Sequence, residues 1–306
     1  MKRFNTACLL LLSCALFAQN PPAPPDNDPP FVKQAHQLMH DGKLADALAV
    51  FQNELKTSPD SEEANIGAGV VLDLMLRGPE ARKYFDKAIS AAPDDEKRAA
   101  ANRGMAMSWA FEGNCQMTVQ YEQKILDYAK AKADYFRAGE IADEEARVCL
   151  DGNDVETGVI WYKEGHELGL REPNITDARK DLWNFRWEHA QARAASKLHE
   201  EDDPKQHIAA AKAILDKGRN PQQVQFLPAL IGYVAFYQQD YKTALDNLLK
   251  ANQNDPFIQC LTAETYEALG EKDKAREFYT KAAAATGHNP AAAYAVPLAK
   301  RKLGIK

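Results

Sequence analysis

Residues 44–59 read LADALAVFQNELKTSP, and residues 78–93 read GPEARKYFDKAISAAP. Each carries an alanine, a phenylalanine four positions later and a proline eight beyond that: Ala47, Phe51 and Pro59, then Ala81, Phe85 and Pro93, shifted by 34. Ala244, Leu248 and Pro256 repeat the same internal spacing far downstream. In the first copy Ala47, Leu48, Phe51 and Leu55 fall on one face of a helix. The alanine lets a partner helix approach, the phenylalanine fills the gap to the next unit, and the proline ends the helix. Ahead of this helix, Phe31, Ala35 and Leu38 pattern another, and Asp41-Gly42 supplies the turn between the two. A period near 34 residues describes a helix-pair unit. One unit cannot bury its own apolar face, so the units must stack.

The second unit runs from Glu62 to Pro93 and adds Ala68-Gly69 and Ala88. A glycine inside a helix costs about 1 kcal/mol against alanine, so Gly69 points to tight helix contact. Gly232, Tyr241, Ala244, Ala251 and Pro256 form a later copy, and Gly270, Ala275, Tyr279 and Ala282 another. In these positions the chain resembles the tetratricopeptide repeat family. The resemblance implies an all-α, right-handed α-solenoid of antiparallel helix pairs, with a concave groove lined by the first helix of each pair. Six or seven pairs are expected over residues 31–292. The pattern is degenerate over 131–221, where 175–200 reads as one long helix containing Trp183 and Trp187, and 204–217 as a shorter one. Residues 293–306 are expected to form a capping helix, with Lys300, Arg301 and Lys302 on a polar outer face.

The chain opens MKRFNTACLLLLSCALFA. A short basic start and an apolar stretch of about a dozen residues make a secretory signal peptide over 1–18. An alternative reads Leu11-Leu12-Ser13-Cys14 as a lipoprotein processing box, with Cys14 the lipidated residue. Residues 19–30 (QNPPAPPDNDPP) read as a proline-rich linker. An exported protein of the bacterial periplasm or cell envelope is therefore expected, tethered to the membrane only if Cys14 carries lipid. The net charge of −6 gives no basic footprint for nucleic acid.

No GxSxG, HExxH, GxxxxGK or GxGxxG motif is present, so neither an enzyme nor a cofactor is expected. Acidic neighbours such as Glu144-Glu145 and Asp202-Asp203 point about 100° apart on a helix and read as solvated faces. His36 and His40 could share a metal, but no third ligand is evident and no metal is expected. His166, His189, His199, His207 and His288 form no pattern. Asn174-Ile175-Thr176 is a glycosylation acceptor in form, and reads better as a helix start capped by Asn174 or Thr176.

The family geometry also implies neighbours. Cys115 starts the second helix of unit three and Cys149 ends the first helix of unit four. Antiparallel stacking brings these ends together, so a Cys115–Cys149 disulfide is expected, against the alternative of two separate buried thiols. Cys260 is left over in a first helix. Projecting the repeat pattern onto the groove selects Val32, His36, Met39, His40, Ile66, Val70, Asp73, Phe226, Tyr233, Phe236, Tyr237, Cys260, Glu264 and Glu267. The aromatic cluster Phe226, Tyr233, Phe236 and Tyr237 suits an interface hot spot, or else packs between helices. The carboxylate clamp of some family members is missing where Val32 and His36 stand. The expected partner is a protein or peptide anchored by apolar or aromatic groups, held by a non-catalytic scaffold. The alternative is a membrane-anchored lipoprotein serving in envelope complex assembly.

Overall fold

The computed structural model describes residues 28–199 and 203–305. The leader, Cys14, most of the proline-rich linker and Asp202 lie outside the described residues. All regular structure among the described residues is helical: seven antiparallel pairs followed by one further helix. The pairs are α1 (Pro30–His40) with α2 (Leu44–Thr57), α3 (Glu62–Leu74) with α4 (Gly78–Ala91), and α5 (Asp95–Ala110) with α6 (Cys115–Ala131). Next come α7 (Tyr135–Asp151) with α8 (Val155–Gly169), and α9 (Asp177–Lys197) with α10 (Asp203–Leu215). A 3-10 turn over Pro221–Phe226 leads to α11 (Leu227–Tyr237) with α12 (Tyr241–Leu248) and α13 (Pro256–Ala268) with α14 (Lys272–Ala283), before α15 (Pro290–Leu303). The fold is an α-solenoid of helix pairs.

The repeated phenylalanines explain the stacking. Phe85, from α4, is fully buried between Gly69 of α3 and Gly104 of α5. A Cβ on Gly69 would lie 2.6 Å from the Phe85 ring, and one on Gly104 2.5 Å from it. Phe51 meets Gly67 of the next unit in the same way. Large ring and absent side chain are thus matched at these contacts, and interiors packed this densely have no room for an added methyl. In the degenerate middle, tryptophan replaces phenylalanine. Trp183 is fully buried against Gly139 and Gly169, and its Nε1 donates to Glu172 Oε1 at 2.8 Å. A buried indole N–H needs such a partner. Thr176, not Asn174, caps α9 by accepting from Arg179 N. In α6, Thr118 stands where the repeat favours alanine; its hydroxyl donates to Asn114 O at 2.9 Å and is thereby satisfied while fully buried.

Cys115 and Cys149 are joined by a disulfide with Cα atoms 4.8 Å apart, tying the start of α6 to the end of α7. Cys260 is free and buried. First helices pack on first helices of neighbouring pairs (α1 on α3, α3 on α5, α9 on α11, α13 on α15), whereas close packing between second helices of neighbouring pairs is missing among the described residues. The first helices therefore form the inner face.

One element departs from expectation. The last helix begins at Pro290 and is no polar end cap. It packs on α13 and α14 and also on α5 and α7, burying Ala291, Ala292, Ala293, Ala295, Val296 and Ala299. A helix whose buried face is alanine-width can lie close to two walls at once, and this one joins the end of the array to its second, third and fourth pairs. Pro297 is accommodated within the helix.

Two outcomes test this packing. Gly104→Val should destabilise the fold by about 2–4 kcal/mol, read from the urea midpoint, because Phe85 cannot move aside in a dense core. A midpoint within about 0.5 kcal/mol of wild type would contradict the ring-and-glycine account. Non-reducing intact mass should show one thiol per chain among Cys115, Cys149 and Cys260, and Cys115→Ser/Cys149→Ser should cost about 2–4 kcal/mol; three free thiols would refute the link.

Candidate functional site: the inner face

The inner face is lined with charge. Arg103 of α5 grips Glu144 of α7 through Nε at 3.1 Å and through a second, shorter Nη2 contact. Arg186 of α9 reaches Glu140 at 3.0 Å and Asp143 at 3.7 Å, both on α7. Arg193 Nη2 donates to Asp151 Oδ1 at 2.5 Å and Nη1 to the Tyr162 hydroxyl at 3.2 Å, and Arg147 adds a 3.5 Å contact to Asp151. Lys197 Nζ closes the C-terminal end of α7 by donating to Leu150 O at 2.6 Å and Asn153 Oδ1 at 2.8 Å. Cations at a helix C-terminus are favourable, but burial draws the Lys197 ammonium down to about 8. Burial, with Arg193 and Arg147 nearby, holds the His189 imidazole neutral by pushing its pKa well down. The same burial pushes the Asp143 carboxyl up to about 7 against the pull of Arg186.

The expectation that Glu144 and Glu145 form a solvated face is corrected: both are buried, at 2% and 0% exposure. The reason is that α7 lies in the middle of the array, covered by α6, α8 and, from across the inner face, α15. Glu144 is neutralised by Arg103, whereas neither oxygen of Glu145 or of buried Glu122 has a hydrogen-bond partner. Burial drives the Glu145 pKa up to about 9. Burial, reinforced by Glu144, also pushes the Glu122 carboxyl well up. Both shifts favour the neutral acid, since an unpaired charge is far costlier to bury.

The opposite wall comes from the C-terminal end. The His288 ring lies between Phe85 and Phe111, with centroid separations of 5.6 and 5.4 Å and near-parallel planes. His288 Nε2 sits 2.9 Å from Asp73 Oδ2, while Ser108 donates to Asp73 Oδ1 at 2.8 Å. Arg103 Nη1 approaches His288 O, and Lys300 donates to Leu74 O. Phe257 of α13 stands under the Arg147 and Arg193 guanidinium groups, 5.1 and 5.5 Å from its ring centre. The charged stripe is thus roofed by the last repeats.

This closure sorts the groove candidates. His36 and His40 are exposed on α1, and Ile66 and Val70 are half-buried beside them in the array, while Val32 and Met39 are buried under that surface. Asp73 is withdrawn from solvent by His288. Phe226 and Tyr233 are corrected to packing residues: Phe226 joins the core between α9, α10 and α11, and Tyr233 is 2% exposed beneath Arg193 and beside Phe257. Phe236 and Tyr237 stay half-buried, in edge contact at 5.3 Å. Cys260 is buried, Glu264 accepts from Tyr294 at 3.3 Å, and exposed Glu267 accepts from Tyr279 and Lys302. Among the described residues no group of three or more His, Cys, Asp or Glu could hold a metal ion, and no helix is long and apolar enough to cross a membrane.

The residues that sequence reasoning missed are His288 and the charged positions of α7 and α9. Arg186 and Arg193 are seven apart, as are Glu144 and Asp151; that period marked a shared helix face, which in a repeat array faces inward.

Two stretches of the chain match the tetratricopeptide repeat family: residues 32–96 and 230–290. Among solved structures, a tetratricopeptide repeat protein from Parabacteroides merdae ATCC 43184 is similar at 12% identity and TM-score 0.48, over 82% of this chain and 90% of that one. The TPR domain of P58(IPK) aligns at 14% identity and TM-score 0.28, over 90% and 97%. No curated protein matches the chain.

Glu145→Gln tests the buried acids. The wild-type carboxyl stays protonated in the fold up to about pH 9 but ionises near pH 4.5 when unfolded, so the unfolded state binds fewer protons and stability falls as pH rises between the two values. The variant lacks this loss. Its stability relative to wild type should therefore be about 1–3 kcal/mol better at pH 8 than at pH 5 in urea unfolding. An offset independent of pH would mean that Glu145 is ionised in the fold.

Proposed function

We propose that this protein is a non-catalytic tetratricopeptide repeat scaffold that works outside the cytoplasm and holds a peptide or protein segment on its inner face. The observation that carries the reading is the inner face itself: first helices from successive pairs aligned side by side, with His36, His40, Ile66 and Val70 accessible where the array begins. The two family matches bracket this surface at both ends, and aligned helices present side chains at intervals that suit an extended or helical segment. Export is supported by the basic and apolar leader and by the Cys115–Cys149 disulfide, a bond that persists in oxidising compartments. Anchoring through Cys14 is the second reading of the leader, favoured by Leu11-Leu12-Ser13-Cys14, and places the same scaffold at a membrane surface.

A crosslinked pull-down from the native envelope, run beside His36→Glu/His40→Glu, tests the groove. Both side chains are exposed, so the variant should keep wild-type helicity and lose at least 80% (roughly 1 kcal/mol or more) of the captured partner, as removal of an interface anchor does. Equal capture by both proteins would move binding off this face. A lipid-bearing Cys14 at the mature N-terminus, read by mass, would select the anchored form; cleavage after Ala18 would exclude it.

A further inference from the structure

In a stack of helix pairs each unit touches its sequence neighbours. Here two hydrogen bonds join residues 215 and 226 positions apart, His288 to Asp73 and Lys300 to Leu74 O. The chain reaches this seam through a non-helical stretch, residues 285–289, in which the His288 ring enters the slot between Phe85 and Phe111. Beyond it α15 offers the N-terminal core only Ala292, Ala293 and Val296. Two clefts of about 330 and 500 Å³ remain beside α15, and Phe111, Glu112, Pro297 and Arg301 line both. The other side of α15 is different. Ala295 and Ala299 pack without interruption against Cys260, Ala263, Tyr279 and Ala282 of α13 and α14.

The two sides of α15 are therefore unequal in kind. One is ordinary repeat-on-repeat packing. The other is one flat ring, one hydrogen bond to a carboxylate and a few methyl groups seated in a slot with open clefts beside it, which is how a bound ligand sits. We propose that residues 284–305 are an internal ligand. The seam opens as a unit, with α15 staying on α13 and α14, and the slot formed by Asp73, Phe85, Phe111 and Arg103 is a binding site for a partner's helical segment. That segment carries an imidazole or guanidinium, to stack between the rings and pair with Asp73, followed by a turn of small side chains that fits where Ala292, Ala293 and Val296 lie. This rests on the groove reading and specifies its regulation: partner and C-terminal segment compete for one slot, so the free protein is held closed.

The test uses a fluorescein-labelled synthetic peptide of residues 284–305, titrated by fluorescence anisotropy into full-length wild type and full-length His288→Ser. The substitution removes the ring between Phe85 and Phe111 and the contact with Asp73, which frees the seam to open, and touches none of the packing of α13, α14 and α15. The variant should bind the peptide at least ten-fold more tightly than wild type does, and a peptide that itself carries His288→Ser should lose that gain. Equal affinity for the two proteins, or equal binding of the two peptides, overturns the proposal. Hydrogen exchange supplies the second readout. In the variant, amides of α3, α5 and α7 facing the seam should exchange faster, because α15 leaves all three, while those of α8 and α10, on which α15 does not pack, stay as in wild type. Loss of protection in α8 and α10 as well would make the contact a structural brace, and also overturns the proposal. Failure of the groove reading gives a different pattern: the peptide gain persists while no envelope partner is captured by either protein.

Discussion

The structure depends on rings opposed to missing side chains in the first units and the middle of the array. Phe51 at Gly67, Phe85 at Gly69 and Gly104, and Trp183 at Gly139 and Gly169 let backbones approach where any larger residue would hold them apart. Close approach on the inner side brings first helices together at α1–α3, α3–α5, α9–α11 and α11–α13, while second helices of neighbouring pairs do not pack closely among the described residues. Curvature follows from that inequality, and enough curvature brings α15 back onto α3, α5 and α7. The seam at Asp73 and His288 is thus a consequence of local packing summed over seven pairs.

Closure in turn accounts for the charges inside. An open groove would leave Arg186, Arg193, Asp143 and Asp151 in water. Here Arg147 and Arg193 lie over Phe257 of α13, Arg186 lies against Phe136 and Trp183, and Asp143 faces Gly165 of α8. The ion pairs meet the cost of burial through further partners: Tyr162 on Arg193, a second guanidinium on Asp151, an aromatic face under Arg147. Buried pairs of this kind add little net stability but make one arrangement far better than its neighbours, because breaking any one leaves a lone buried charge. Glu122 and Glu145, which have no such partners, are pushed toward the neutral acid instead. The interior therefore specifies alignment between α5, α7 and α9 where the repeat pattern is weakest.

The legibility of the chain follows the same division. The helix pairs could be read because Ala47, Phe51 and Pro59 carry a local, periodic constraint, and the positions of Cys115 and Cys149 could be related because repeat geometry relates neighbouring units. The degenerate middle was harder, since Trp183 takes the phenylalanine role from a different helix of its pair. The seam was not legible at all. His288 lies outside every periodic segment, and its partners are set by accumulated curvature over more than 200 residues. The sequence left the aromatic cluster around α11 open between an interface and interhelical packing for the same reason: Tyr233 occupies a groove position in the repeat, but the groove there is filled by Arg193 and Phe257. The small-residue face of α15 looked like an end cap because nothing nearby in sequence could cover it.

Closure of the array is the central claim, and the separation of its ends tests it most directly. Spin labels on cysteines placed at exposed Glu80, beside the start of α4, and at exposed Lys302, near the end of α15, report that separation by pulsed electron resonance. The account predicts one narrow distribution at the distance set by the closed structure. A broad distribution centred at longer distance would contradict it, and would return the protein to an open superhelix with a free C-terminal helix.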